Sequence, residues 1–103
     1  MSESLKRWNY QVLMLVQALV GAVSPNFRMV AISFEGEEWV TRFYLEEYDE
    51  EDVDEVVDVM CQYAAYQDGD LKSRYEVLVG SGRLPGYSEV GRVAYRRREK
   101  IGS

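Results

Sequence analysis

Read for hydrophobic and polar positions alone, the chain divides into segments of two periods. Leu5, Trp8, Val12, Leu15, Val16 and Leu19 recur every three or four residues, which predicts an amphipathic helix. Ser2 or Ser4 stands where it can cap that helix, with Glu3 in or near the first turn. Leu13, Met14 and Val20 widen the stripe, so the helix is expected to be buried on more than one side. It should end between Gly21 and Pro25, because a proline disfavours helical backbone at the residue before it. The period then changes to two. In "RMVAISF", Val30, Ile32 and Phe34 share one face and Met29 and Ala31 the other. In "WVTRFYL", Trp39, Thr41, Phe43 and Leu45 alternate with Val40, Arg42 and Tyr44. The "EGEE" between them places Gly36 where a tight turn needs a positive φ, so the two runs read as a β-hairpin.

A second helical period follows. Val53, Val56, Val57, Met60, Cys61 and Ala64 form its apolar stripe, with Asp49 or Tyr48 near the N-cap and "DGD" at 68–70 as a glycine stop. "SRYEVLV" reads as a third strand, with Tyr75, Val77 and Val79 on one face. "GSGRLPGYSE" reads as a loop, and "GRVAYRR" as a fourth strand with Val93 and Tyr95 on one face. A polar tail begins at about Arg98. The order α-β-β-α-β-β predicts an α+β fold, with two helices packed on one face of a four-stranded, mostly antiparallel sheet. The second and third strands are joined through a helix, so if they are neighbours they should run parallel with a right-handed crossover. Their order in the sheet is not set by these patterns.

The 103 residues fit one small domain, expected over 1–103, and the 47% apolar content with eight tyrosines marks a globular chain. One cysteine cannot form an internal disulfide, which points to the cytosol. The N-terminal run suggests a signal peptide at first sight. Gln11 and Gln17 interrupt it, however, and Val12 to Val23 is too short to span a membrane, so a buried helix is the expectation.

Charge adds the strongest asymmetry. The formal net charge is −6, and between Phe43 and Leu71 there are eleven acids and no base. Net acidity argues against nucleic acid or an anionic membrane as the main ligand, since both need a basic footprint.

Catalytic and metal-binding patterns are faint. The chain has no histidine, which removes histidine-activated nucleophiles and the usual zinc sites. Cys61 lies on the apolar stripe and reads as a small buried hydrophobe. Carboxylates on the polar side of a helix all stay ionised and make a poor acid–base pair. "DEEDVDEVVD" lacks the glycine turn of a calcium loop. "GSGRLPG" resembles a phosphate cradle in composition but lacks the Lys-Ser/Thr pair, and reads as a connection between strands. "YRRREK" is a basic run that guards a strand edge, or pairs with the acidic helix or an acidic partner. No enzyme and no cofactor or metal is expected.

The acid block itself has two readings. Asp49, Glu50, Glu51 and Asp52 in the first helical turn interact favourably with the helix dipole, and a charged outer face keeps a small domain soluble. Asp54, Glu55 and Asp58 lie beyond that turn, and Glu46 and Glu47 precede it. Like-charge pairs at i, i+4, such as Glu51 with Glu55 and Asp54 with Asp58, each cost a few tenths of a kcal/mol, about 0.2–0.5. The excess points to a docking face for a basic protein, with Tyr44, Tyr48, Tyr63 and Tyr66 bordering it as possible anchors.

Taken together, "LMLVQALVGAVSPNFRMVAISFEGEEWVTRFYLE", the acidic "DEEDVDEVVDVM" helix and "GRVAYRRRE" resemble small bacterial immunity proteins of the colicin and contact-dependent growth inhibition class. The resemblance covers roughly residues 10 to 99. It implies a cytoplasmic, non-enzymatic protein that captures a cognate toxin domain, often a basic nuclease, by occluding its groove or binding beside it. No contact motif carries over. Charge alone nominates Glu46, Glu47, Tyr48, Glu50, Glu51, Asp54, Glu55 and Asp58 as partner-binding residues. The alternative is a housekeeping adaptor that binds some other basic protein, and a toxin gene directly upstream would separate the two.

Overall fold

The computed structural model describes residues 3–67 and 72–99. Helix α1 (Glu3–Leu19) leads into strands β1 (Phe27–Glu35) and β2 (Glu38–Leu45), helix α2 (Glu50–Ala65), strand β3 (Ser73–Val79), a short 3-10 turn (Tyr87–Glu89) and strand β4 (Arg92–Arg96). The capping at Ser2 and the "DGD" stop at 68–70 lie outside the described residues. This is the α+β order read from the sequence. The four strands form one mixed sheet in the order β3-β2-β1-β4. β1 runs antiparallel to β2 and to β4, and β2 runs parallel to β3.

The hairpin closes through Gly36 and Glu37, both at positive φ (56° and 70°), with Glu35 paired opposite Glu38. Two consecutive left-handed residues give a turn whose twist matches that of the strands it joins.

Both helices pack on one face of the sheet. Leu15, Ala18 and Leu19 of α1 and Val56, Val59, Met60 and Tyr63 of α2 meet Val30, Ile32, Trp39, Phe43 and Leu45 of the sheet. Trp8 stands edge-on to Trp39, with ring centroids 5.0 Å apart.

The opposite face is covered in two different ways. Over β1 and β4, Leu84 and Val90 of the 80–91 segment bury Met29 and Ala31. Over β2 and β3 lies an ion network. Arg42 bridges Glu35 (2.6 Å) and Glu76 (2.9 Å), and Arg74 bridges Glu38 (2.9 Å) and Glu76 (2.5 Å). The Arg42 hydrogen bond, helped by Ser33, pulls the Glu35 carboxyl down to a pKa of about 2. β1 is therefore buried on both faces from Phe27 to Ser33.

Two expectations about the helices need correction. In α1, Leu5, Leu13 and Val16 are exposed, as is Val20 just beyond its end, at 80%. The sheet and α2 cover only one side of this helix, so the wide apolar stripe is not wholly buried. In α2 the period is as expected but the phase is not. The buried row is Asp52, Val56, Val59, Met60 and Tyr63, whereas Val57, Cys61 and Ala64 face outward. The helix is turned by roughly one residue step, ~100°, relative to the valine–cysteine stripe. Seating the large Tyr63 ring inside buries more apolar surface than seating Cys61 and Ala64.

Candidate partner-binding surface

The outer face of α2 is built from its N-terminus. Asp49 is the N-cap, in extended conformation (φ −143°), and its carboxylate accepts the Asp52 N–H at 3.2 Å. Asp52 points inward and is buried, held by the Asn26 side-chain amide at 2.9 Å. That amide nitrogen also donates to the Glu47 carbonyl (2.8 Å), and Asn26 Oδ1 accepts the Glu47 N–H (2.9 Å). One side chain thus fixes the approach to α2 and its first turn together. Nothing in the sequence pattern identified Asn26, because its partners lie well beyond any local motif.

With Asp52 turned in, the other acids turn out. Glu50, Asp54 and Asp58 follow one another at i, i+4 and i+8, and Glu51 and Glu55 form a second row beside them; all five are exposed. Glu47 is exposed as well, and Tyr48 stands beside it with 70% of its surface open.

Ion pairing separates this block from the rest of the molecule. Glu35, Glu38, Glu46, Glu76 and Glu99 each form a salt bridge with an arginine. Among the described residues, Glu47, Glu50, Glu51, Asp54, Glu55 and Asp58 form none. Of the eight nominated residues, seven therefore lie at the start of α2 or along its outer face. The eighth, Glu46, turns the other way and pairs with Arg97 at 3.3 Å.

The bordering tyrosines divide. Tyr63 is fully buried and is a core residue, not an interface anchor. Tyr66 is exposed at 39%, and its carbonyl accepts the Tyr10 hydroxyl at 3.0 Å. Tyr44 is half-buried on the far face of the sheet, against the Leu84 cluster. Val57 and Cys61 share the outer face of α2 with the acids.

Among the described residues no group of three or more His, Cys, Asp or Glu side chains is placed to hold a metal ion, and no helix is long and apolar enough to cross a membrane. The outer face of α2 is a broad anionic surface whose carboxylates Glu50, Glu51, Asp54, Glu55 and Asp58 are all open to solvent.

No curated protein matches the chain. A family model described as MafI2 immunity protein matches residues 9–99. That match takes in α1 from residue 9 onward, all of α2, all four strands and the acidic face, and the chain belongs to the MafI2 immunity protein family.

Proposed function

We propose that this protein neutralises a toxin by stoichiometric binding, using the outer face of α2 to engage a basic surface on the toxin domain. Family membership supports the general role, since an immunity protein implies a cognate toxin. The observation that carries the specific reading is the segregation of charge. Every acid in a salt bridge lies off the outer face of α2, while Glu47, Glu50, Glu51, Asp54, Glu55 and Asp58 are left unmatched beside exposed Tyr48. A surface under selection for stability alone gains by pairing such charges or spacing them apart.

The toxin chemistry that fits is a nuclease. Its substrate-binding groove must be basic to hold phosphates, and a row of carboxylates offers the same charge to that groove. Binding over the groove blocks it directly; binding beside it repels the substrate. The protein then works in the cytoplasm, where a toxin delivered by a neighbouring cell or made in the same cell would act. It needs no turnover and no cofactor, only one molecule per toxin.

The test is co-expression with candidate toxin domains, scoring cell survival and co-purification. Glu50, Glu51, Asp54, Glu55 and Asp58 changed together to lysine should leave the fold intact by circular dichroism and abolish both protection and capture. If that variant still protects cells, the acid face is ordinary solvated surface and the contact lies elsewhere.

A further inference from the structure

The chain is acidic overall, yet one cleft in it is lined by arginine. It lies among the 80–86 loop, the start of β1 and the end of β4, and has a volume of about 550 Å³. Its walls carry Arg28, Arg83, Arg97 and Arg98 against Glu46 and Glu99.

Two of these arginines are already engaged. Arg28 is almost buried; it donates to Glu99 at 2.6 Å and to the Gly80 carbonyl at 2.9 Å, so it anchors the loop. Arg97 donates to Glu99 (2.7 Å), Glu46 (3.3 Å) and the Pro25 carbonyl (2.7 Å). Glu99, pinned between Arg28 and Arg97, has its pKa lowered by those hydrogen bonds and stays ionised.

The other two are unpaired among the described residues. Among the described residues every other arginine either pairs with an acid or lies over an aromatic ring, as Arg96 does over Tyr87. Arg83 and Arg98 do neither, and both are exposed. Beside them the backbone N–H groups of Ser81, Gly82 and Arg83 make no backbone hydrogen bond among the described residues. Through Arg28 and Arg83 the cleft continues onto an apolar shelf that includes Tyr44, Leu78, Val79 and Pro85.

We propose that this cleft binds a phosphate monoester carried on an apolar body, of the kind a nucleoside monophosphate presents. A monoester carries a charge of about −1.5 to −2 at neutral pH, which matches the two unpaired guanidinium groups. Guanidinium forks donate two parallel hydrogen bonds to phosphate oxygens, and free loop amides add further donors. The shelf takes the apolar part of the ligand. A nucleic-acid strand fits poorly. It needs a longer basic track, and beyond Glu46 it would run onto the unpaired carboxylates of α2. The "GSGR" loop, which reads as a plain strand connection in the sequence, thereby becomes one wall of a site.

The experiment is a titration of the full chain at low salt, followed by amide chemical shifts in NMR. The probes are AMP, adenosine, and a short single-stranded oligonucleotide with no terminal phosphate. AMP should bind with a Kd of about 1 mM or tighter, move the signals of Ser81, Gly82 and Arg83, and bind at least about tenfold more tightly than adenosine. Arg83→Ala with Arg98→Ala should weaken AMP by about tenfold or more with unfolding temperature unchanged, while Arg92→Ala, outside the cleft, should not. Equal binding of adenosine and AMP, an unaffected double variant, or no response to AMP would overturn the proposal. So would tighter binding of the oligonucleotide, which would mark a nucleic-acid surface instead. These outcomes involve no toxin, so they are independent of the role of α2.

Discussion

The Tyr63 hydroxyl on α2 donates a hydrogen bond to Oε1 of Gln11 on α1, in the dry space between the two helices. Gln11 in turn donates to Gln67 at 2.9 Å, so this polar chain ties the end of α2 to the middle of α1. The same Gln11 interrupts the apolar run near the N-terminus. Tyr63→Phe should keep the ring packing and leave the Gln11 amide oxygen without its donor. The expected cost is about 1–3 kcal/mol, read from the midpoint of urea unfolding at unchanged slope. A loss under about 0.5 kcal/mol would mean that water replaces the hydroxyl.

The same tyrosine sets an upper pH limit. Burial raises the Tyr63 pKa above the usual 10. The folded state therefore holds this proton at pH values where the unfolded chain releases it. The stabilisation is complete below about pH 10 and declines as pH rises beyond it. At the acid end the sign reverses. Glu35 has its pKa lowered to about 2 from 4.5, chiefly by Arg42, so its contribution is present above 4.5 and fades as pH falls towards 2. Unfolding curves across pH should show both flanks, with the alkaline one reduced in Tyr63→Phe. An unchanged alkaline flank in that variant would assign it to other groups.

Two turn positions should respond in opposite directions to single-residue changes. Gly91 has φ 92°, and a Cβ there would lie 2.4 Å from the Ile32 carbonyl oxygen. Gly91→Ala should destabilise by about 2 kcal/mol or more and loosen the entry into β4. Glu37 is the one non-glycine residue with positive φ among the described residues (70°), at the second central position of the β1–β2 turn. Glu37→Gly should stabilise by up to about 1 kcal/mol, because glycine carries no penalty in the left-handed region. Thermal unfolding of the two variants gives both signs directly.

Steering by the acid face predicts a kinetic signature. Surface charges act over a screening length of about 10 Å at 0.1 M salt and about 3 Å at 1 M. The association rate with the toxin domain should fall by about tenfold or more over that range while dissociation changes much less. Stopped-flow mixing measures both. A salt-independent association rate would remove the argument for steering.

The sequence made the elements and their order legible because each has one dominant period. Where two signals competed, it did not decide. In α2, the valines with Cys61 and Ala64 formed one stripe, and Val56, Val59 and Tyr63 formed another one step round. Residue size resolved the choice only once a sheet was there to receive Tyr63. In α1 the apolar pattern was wider than the surface available to cover it, which leaves Leu13 and Val16 outside. The acid block was visible as composition, but its orientation was not. It depends on Asn26 drawing Asp52 inward, a side-chain contact between distant segments. The arginine cleft was hidden for the same reason: Arg28, Arg83 and Arg97 meet only through the pairing of β1 with β4.

That pairing has a consequence for biosynthesis. β1 lies between β2 and β4, and Met29 is paired with Arg96 although β2, α2 and β3 all lie between them in sequence. On the ribosome, β1 and β2 emerge before β4 and can form their hairpin, but the other edge of β1 stays open until α2, β3 and β4 have followed. The closing contact is of high sequence separation, and such contacts slow folding. Until β4 emerges, that edge is a row of unpaired backbone groups, so the nascent chain is exposed to mispairing for as long as α2 and β3 take to be made.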